Sequence, residues 1–104
     1  MLITTTDYIP GKEILEIVDI VRGSTVSARH IGRDIMASFR KFIGGEIIEY
    51  TQLMASAREE AIARMIADAE RIGADAVINV RFATSNVMES AAEILAYGTA
   101  VKLK

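Results

Sequence analysis

The chain of 104 residues contains no cysteine and no tryptophan, one proline and one histidine. Without cysteine there is no disulfide, no thiolate metal site and no thiol nucleophile. A single imidazole cannot supply within one chain the three or four ligands that zinc takes. No stretch approaches the roughly 20 apolar residues needed to cross a bilayer. Met1-Leu2-Ile3-Thr4 has neither the basic stretch nor the apolar run of a secretory leader. A small secreted domain would often carry disulfide staples, so their absence points to a cytoplasmic protein. A net charge of −2 and a pI near 5.4 remove any general pull toward nucleic acid. The basic cluster Arg29-His30…Arg33…Arg40-Lys41 is interrupted by Asp34 and reads as a solvated or subunit-facing surface. Linkers, low-complexity tracts and internal repeats are all missing, so residues 1–104 are expected to form one domain.

What the chain does have is apolar surface to bury. It is 51% hydrophobic and 25% charged, with a mean hydropathy of +0.27. After a short β-prone start at Ile3-Thr4-Thr5-Thr6, Pro10-Gly11 marks a turn. Lys12 to Ala28 is rich in β-branched residues, and apolar side chains fall at both parities. A strand half-exposed in a monomer would alternate, so this one is expected to be covered on both sides. Arg22-Gly23-Ser24 suggests a bend that splits it in two.

Ile31, Ile35, Phe39 and Phe42 share one face of a short helix that Gly44-Gly45 would end. A second helix is expected from about Ile48 to Ile72. Its inner stripe is Met54, Ala57 (or Arg58), Ala61, Ile62, Met65, Ile66, Ala69 and Ile72. Glu60, Arg64 and Asp68 lie on its outer face. Gly73 is the stop. Ala76 to Ala83 then alternates Val77/Asn79/Arg81 against Ile78/Val80/Phe82, as a strand with one polar face. In the last strand, Ala92 to Leu103, Ile94, Ala96, Gly98 and Ala100 form a small-residue face. Such a face suits tight helix-on-sheet packing or a subunit seam, with Gly73, Gly98, Thr99 and Ala100 as packing residues. The expected fold is α+β in the order β-β-α-α-β-β, an antiparallel or mixed sheet with two helices on one face.

Candidate ligand-binding residues gather at two places. Gly44, Gly45, Glu46, Glu49 and Tyr50 form a Gly-Gly turn whose backbone amides lie near a helix start. Glu46 and Glu49 satisfy the helix dipole there by themselves, so the same segment also reads as a hinge with a capping acid. Arg33-Asp34 is a charged pair whose members face different directions and would pair with different partners. His30 is the one candidate metal ligand, through a ring that brings several copies together; its plainer reading is a polar residue at a strand-to-helix junction. No Gly-x-x-x-x-Gly-Lys loop, Gly-x-Gly-x-x-Gly fingerprint or Gly-x-Ser-x-Gly elbow occurs. No general acid, base or nucleophile stands out, and no cofactor is implied.

Thr4-Thr5-Thr6, Gly11, Arg33-Asp34, Gly44-Gly45, Tyr50, Arg58, Gly73-Ala74-Asp75-Ala76-Val77 and Gly98-Thr99-Ala100-Val101 occur in an order and spacing that resembles the YbjQ-like family. The resemblance covers essentially the whole chain. These are small bacterial and archaeal proteins, some of them labelled heavy-metal-binding domains. The resemblance implies an α+β subunit assembling into a homo-oligomeric ring, commonly a pentamer and sometimes a stacked decamer, with no established catalytic activity. Against the family's pattern, Arg81 and Ala83 replace acidic residues, His30 stands where Asn is common, and Asn79 stands where Gly is usual. The leading expectation is therefore a non-enzymatic ring whose pore or inter-subunit pockets take a small ligand. A metal-binding protein using His30 and carboxylates from several subunits is the first alternative. A small-molecule enzyme with its site at a subunit seam is the second.

Overall fold

Five elements account for the residues that the computed structural model describes, 1–28, 48–88 and 91–104. They are β1 (Leu2–Ile3), β2 (Ile14–Ala28), α1 (Ile48–Arg71), β3 (Ala76–Met88) and β4 (Ala91–Leu103). The sheet runs β1-β3-β4-β2. β1 lies parallel to β3, while β4 is antiparallel to both β3 and β2. The sheet is thus mixed, and one helix packs on it. This corrects the expected β-β-α-α-β-β order with two helices on one face: the described residues give β-β-α-β-β. The helix expected over Ile31–Phe42 lies outside the described residues. α1, about 36 Å long at 24 residues, is the one helix that the described residues place on the sheet.

The side chains of α1 that meet the sheet are three alanines and one methionine. Ala57, Ala61, Met65 and Ala69 recur every four residues, and each is buried. Against them pack Val21 of β2, Val77 and Val80 of β3, and Ile94, Ala96 and Ala100 of β4. Fully burying a Val or Ile is worth about 1.5–3 kcal/mol, so this layer dominates the stability of the subunit. Thr25, also buried, donates its hydroxyl to the Ala57 carbonyl at 3.0 Å, fixing helix to sheet. Gly23 sits directly beneath the helix, where a Cβ would run into the main chain of Ala61 and Met65. Its role is close approach, and β2 continues through it unbroken, which corrects the expected split at Arg22-Gly23-Ser24.

The stop at Gly73 is built as expected. Gly73 adopts φ +75°. Its N–H donates to Glu70 and that of Ala74 to Ala69, both at 3.0 Å, the paired bonds of a Schellman end. Asp75 then seats the start of β3, its carboxylate accepting the N–H of Leu103 at 2.9 Å.

β3 departs from simple alternation. Between the pairs Ile78↔Thr99 and Arg81↔Tyr97, β3 advances one residue more than β4. The extra residue is accommodated with Asn79 at φ +54°, a left-handed conformation that glycine enters cheaply and asparagine next most readily. Parity flips there. Val77 and Val80 both join the core under α1, while Ile78 packs on the opposite face with Ile9, Ala76 and Val101. The expected grouping of Ile78 with Val80 is corrected by this bulge. Residues 4–6 hold it: Thr4 donates to Val77 and accepts from Val80, and Thr6 accepts from Asn79. The turn Ile9-Pro10-Gly11-Lys12, closed by Lys12 N–H to Ile9 at 3.1 Å, brings Ile9 under that opposite face.

Candidate functional site

Two surfaces of the described residues carry unusual side chains. The first is the outer edge of β2. There the N–H of Ile20 is taken by the Asp19 carboxylate at 2.7 Å, and that of Arg22 by Asp68 at 3.3 Å. The carbonyl of Ser24 accepts from the Arg64 guanidinium. Arg64 also pairs with Glu60 at 2.6 Å, and Asp68 with Arg71 at 2.9 Å. Arg64 and Asp68, expected only to lie on the outer helix face, thus reach the strand edge. Arg64 and Asp68 close a stretch of strand edge that would otherwise offer free backbone groups. The Arg71 guanidinium, helped by the Arg22 N–H, holds the Asp68 carboxyl below its ordinary value against partial desolvation.

The second is the sheet face turned away from α1. The strand register lines up Ile20, Thr99 and Ile78 in one row and Arg22, Tyr97 and Arg81 in the next. Beyond them come Ser24, Leu95 and Ala83, then Val26, Glu93 and Ser85. Ile9 covers one end of this face. Along β2 on this face Ile17, Ile20 and Val26 are 69%, 62% and 61% exposed, and Tyr97 of β4 is exposed as well. Arg81 is anchored by donating to the Thr5 carbonyl at 2.9 Å, and Ser24 donates to Glu93 at 3.2 Å.

Of the residues proposed from the sequence, His30, Arg33, Asp34, Gly44, Gly45 and Glu46 lie outside the described residues. Glu49 and Tyr50 belong to the first turn of α1. The four residues expected to serve packing lie at different places in the fold. A Cβ on Gly98 would stand 2.6 Å from Val77 Cγ1 and 3.0 Å from the Ile78 carbonyl, so Gly98 is where β4 passes the bulge of β3. Ala100 is fully buried under α1, whereas Thr99 faces the opposite layer. Gly73 is required by its backbone angle. Sequence reasoning missed the row Arg22-Tyr97-Arg81, because only the pairing register brings those three together. It also missed the edge role of Arg64 and Asp68, for which four-residue spacing on a helix holds no signal.

Among the described residues no three His, Asp or Glu side chains converge as a metal site. No described helix is long and apolar enough to cross a membrane.

Comparison with known proteins gives a consistent result. The family described as "Putative heavy-metal-binding" (YbjQ) matches residues 1–104. A UPF0145 protein of Methanosarcina acetivorans is 59% identical over 103 residues, covering 99% of this chain and 97% of that one. A UPF0145 protein of Thermosipho africanus is 60% identical over 104 residues, covering 100% and 96%. A crystal structure of a Pediococcus pentosaceus protein from the DUF74 family, described as of unknown function, superposes with a TM-score of 0.61. It is 20% identical and covers 100% of this chain and 98% of that one, a likeness of fold. None of these descriptions names a reaction. The heavy-metal description does not fit the donor set of this chain, which has no thiolate and one imidazole.

Proposed function

The chain belongs to the YbjQ-like family over its full 104 residues, and from that premise we propose that it is a non-enzymatic, single-domain subunit of a cytoplasmic homo-oligomer. Five subunits closed into a ring, and two such rings stacked, are the forms we infer. The pore or the seams between subunits are the places for a small ligand, with Arg33, Asp34 and the Gly44–Tyr50 segment as its proposed contacts.

The observation that carries this reading is the uncovered sheet face. Ile17, Ile20 and Val26 are each more than half exposed in the lone subunit. Apolar surface gains about 25 cal/mol per Å² when it leaves water, and monomers seldom leave such a face open. The shape of the subunit supports the same reading. Its radius of gyration is 17.2 Å and its extents are 55 × 25 × 18 Å, against roughly 13 Å for a compact domain of 100 residues. A thin, extended subunit buries little of itself and much against neighbours.

Light scattering and native mass spectrometry test the proposal. The expected result is a closed assembly at micromolar concentration, with five copies of the 11.3 kDa chain or a multiple of five. An 11.3 kDa species across the whole concentration range would overturn it.

A further inference from the structure

The two long edges of the sheet are treated differently. On β2 the outward N–H groups of Ile20 and Arg22 and the outward C=O of Ser24 are taken by Asp19, Asp68 and Arg64. The opposite edge is β3. β1 pairs with it only at Ala76 and Val77, and the bonds from Thr4 and Thr6 reach no farther than Val80. From Phe82 to Asn86 no described segment lies alongside it, and each of these residues is exposed.

The register says which groups point out of that edge. Arg22 and Ser24 direct their backbone groups away from β4, so Val21, Gly23 and Thr25 bond toward it. Their partners on β4 are Gly98, Ala96 and Ile94, which leaves Tyr97, Leu95 and Glu93 to bond with Arg81, Ala83 and Ser85 of β3. The N–H and C=O of Phe82, Thr84 and Asn86 therefore point outward. Bulges bound this regular run on both sides, between Ile78 and Arg81 and between Asn86 and Met88.

Natural edges are commonly guarded by a lysine, an inward charge, a proline or a covering loop. Phe82-Ala83-Thr84-Ser85-Asn86 has no charged residue and no proline, and Phe82 is 45% exposed. We propose that this edge of β3 is a self-pairing seam: it adds antiparallel to the same edge of a second copy, about a twofold axis at Thr84.

The occupant follows from self-complementarity. With Thr84 on the axis, Phe82 falls opposite Asn86 of the other copy, and every outward N–H and C=O of the run finds a partner. No like charges meet, since Arg81 lies outside the paired run and is anchored on Thr5. A twofold contact joins copies in pairs. It rests on the self-assembly proposed above and deepens it: this seam joins two rings, and the exposed sheet face remains for contacts within a ring.

The absence of cysteine gives a clean test, because Thr84→Cys places one thiol in each chain. Directly opposed strand residues bring their Cβ atoms within about 4.5–5.5 Å. A short bis-maleimide should then link most Thr84→Cys chains into species of twice the subunit mass, while Glu59→Cys on the exposed face of α1 stays unlinked. Thr84→Pro removes an outward donor and leaves the bonds to β4 intact. It should halve the assembly mass at fixed concentration with an unchanged far-ultraviolet spectrum. Unlinked Thr84→Cys chains in a protein that light scattering still finds assembled would overturn the seam alone, and would leave this edge to a strand of another protein. A monomer by light scattering would overturn both the seam and the assembly it rests on. Equal linking of Glu59→Cys would also overturn it, since contact would then be unspecific.

Discussion

One methyl group at Gly23 tests how the helix is held on the sheet. A Cβ there meets the Ala61 carbonyl, the Met65 N–H and Arg64 Cβ, the last at 2.7 Å. Two of these three atoms are main chain of α1 and cannot rotate aside. Gly23→Ala therefore lifts the helix off β2, loosening Ala57, Ala61 and Met65 together and stretching the bond from Thr25 to Ala57. Overpacking costs about 1–3 kcal/mol, and an obstacle made of backbone belongs at the upper end. Removing a glycine from the unfolded chain returns about 0.4–1 kcal/mol. The net destabilisation is about 2 kcal/mol, or a fall in Tm of about 8–16 °C at 4–8 °C per kcal/mol for a domain of this size. The assay is thermal unfolding followed by circular dichroism at matched protein concentration, since self-association raises Tm by mass action. Gly98→Ala is the comparison. Its nearest obstacle is a Val77 methyl, which can turn, so it should cost less than Gly23→Ala. A Gly23→Ala protein that melts with the wild type, or above Gly98→Ala, would refute the argument that helix backbone occupies that space.

Three further outcomes are expected. Gly98→Val should impair folding or assembly far more than His30→Ala, by about 1–3 kcal/mol or more, because a branched side chain cannot fit between β4 and the bulge; denaturant titration with light scattering reads both quantities. Asp68 has a lowered pKa in the fold, so its contribution is present above its unfolded value of about 3.9 and is lost as pH falls through the lower folded value; the Tm difference between wild type and Asp68→Asn should shrink as pH falls below about 4, and a constant difference would show that the Arg71 pairing adds nothing. Calorimetric titration of zinc, copper and nickel into untagged protein should give no tight stoichiometric site, and chelation should not unfold the chain; a submicromolar site abolished by His30→Ala would make the metal reading the right one.

Several local features were legible in the sequence. Gly73-Ala74-Asp75 after an alanine-rich run reads as a helix stop, and the structure ends α1 there with the expected paired bonds. The stripe Ala57-Ala61-Met65-Ala69 reads as a buried face because four-residue spacing depends only on helix geometry. Ile94, Ala96, Gly98 and Ala100 read as a close-packed face, and all four are buried. The uses of Gly23, Asn79, Arg64 and Asp68 were not legible in the same way. Gly23 has the composition of a bend and the function of a clearance. Asn79 hosts a one-residue bulge that sends Val80 and Arg81 to faces opposite to those that strict alternation assigns them.

By itself the sequence determined the apolar load, the helix and its end, the strand-forming segments and the chemistry that a chain without cysteine cannot perform. The tertiary structure decided that one described helix covers the sheet, that side chains guard part of the β2 edge while no described segment lies along β3 from Phe82 to Asn86, and that Arg22, Tyr97 and Arg81 share a row. The reason is the range of the forces involved. Periodicity and capping are properties of neighbours along the chain, whereas register, bulges and edges exist only between segments. A shift of one residue in pairing moves every later side chain to the other face without changing a letter of the sequence.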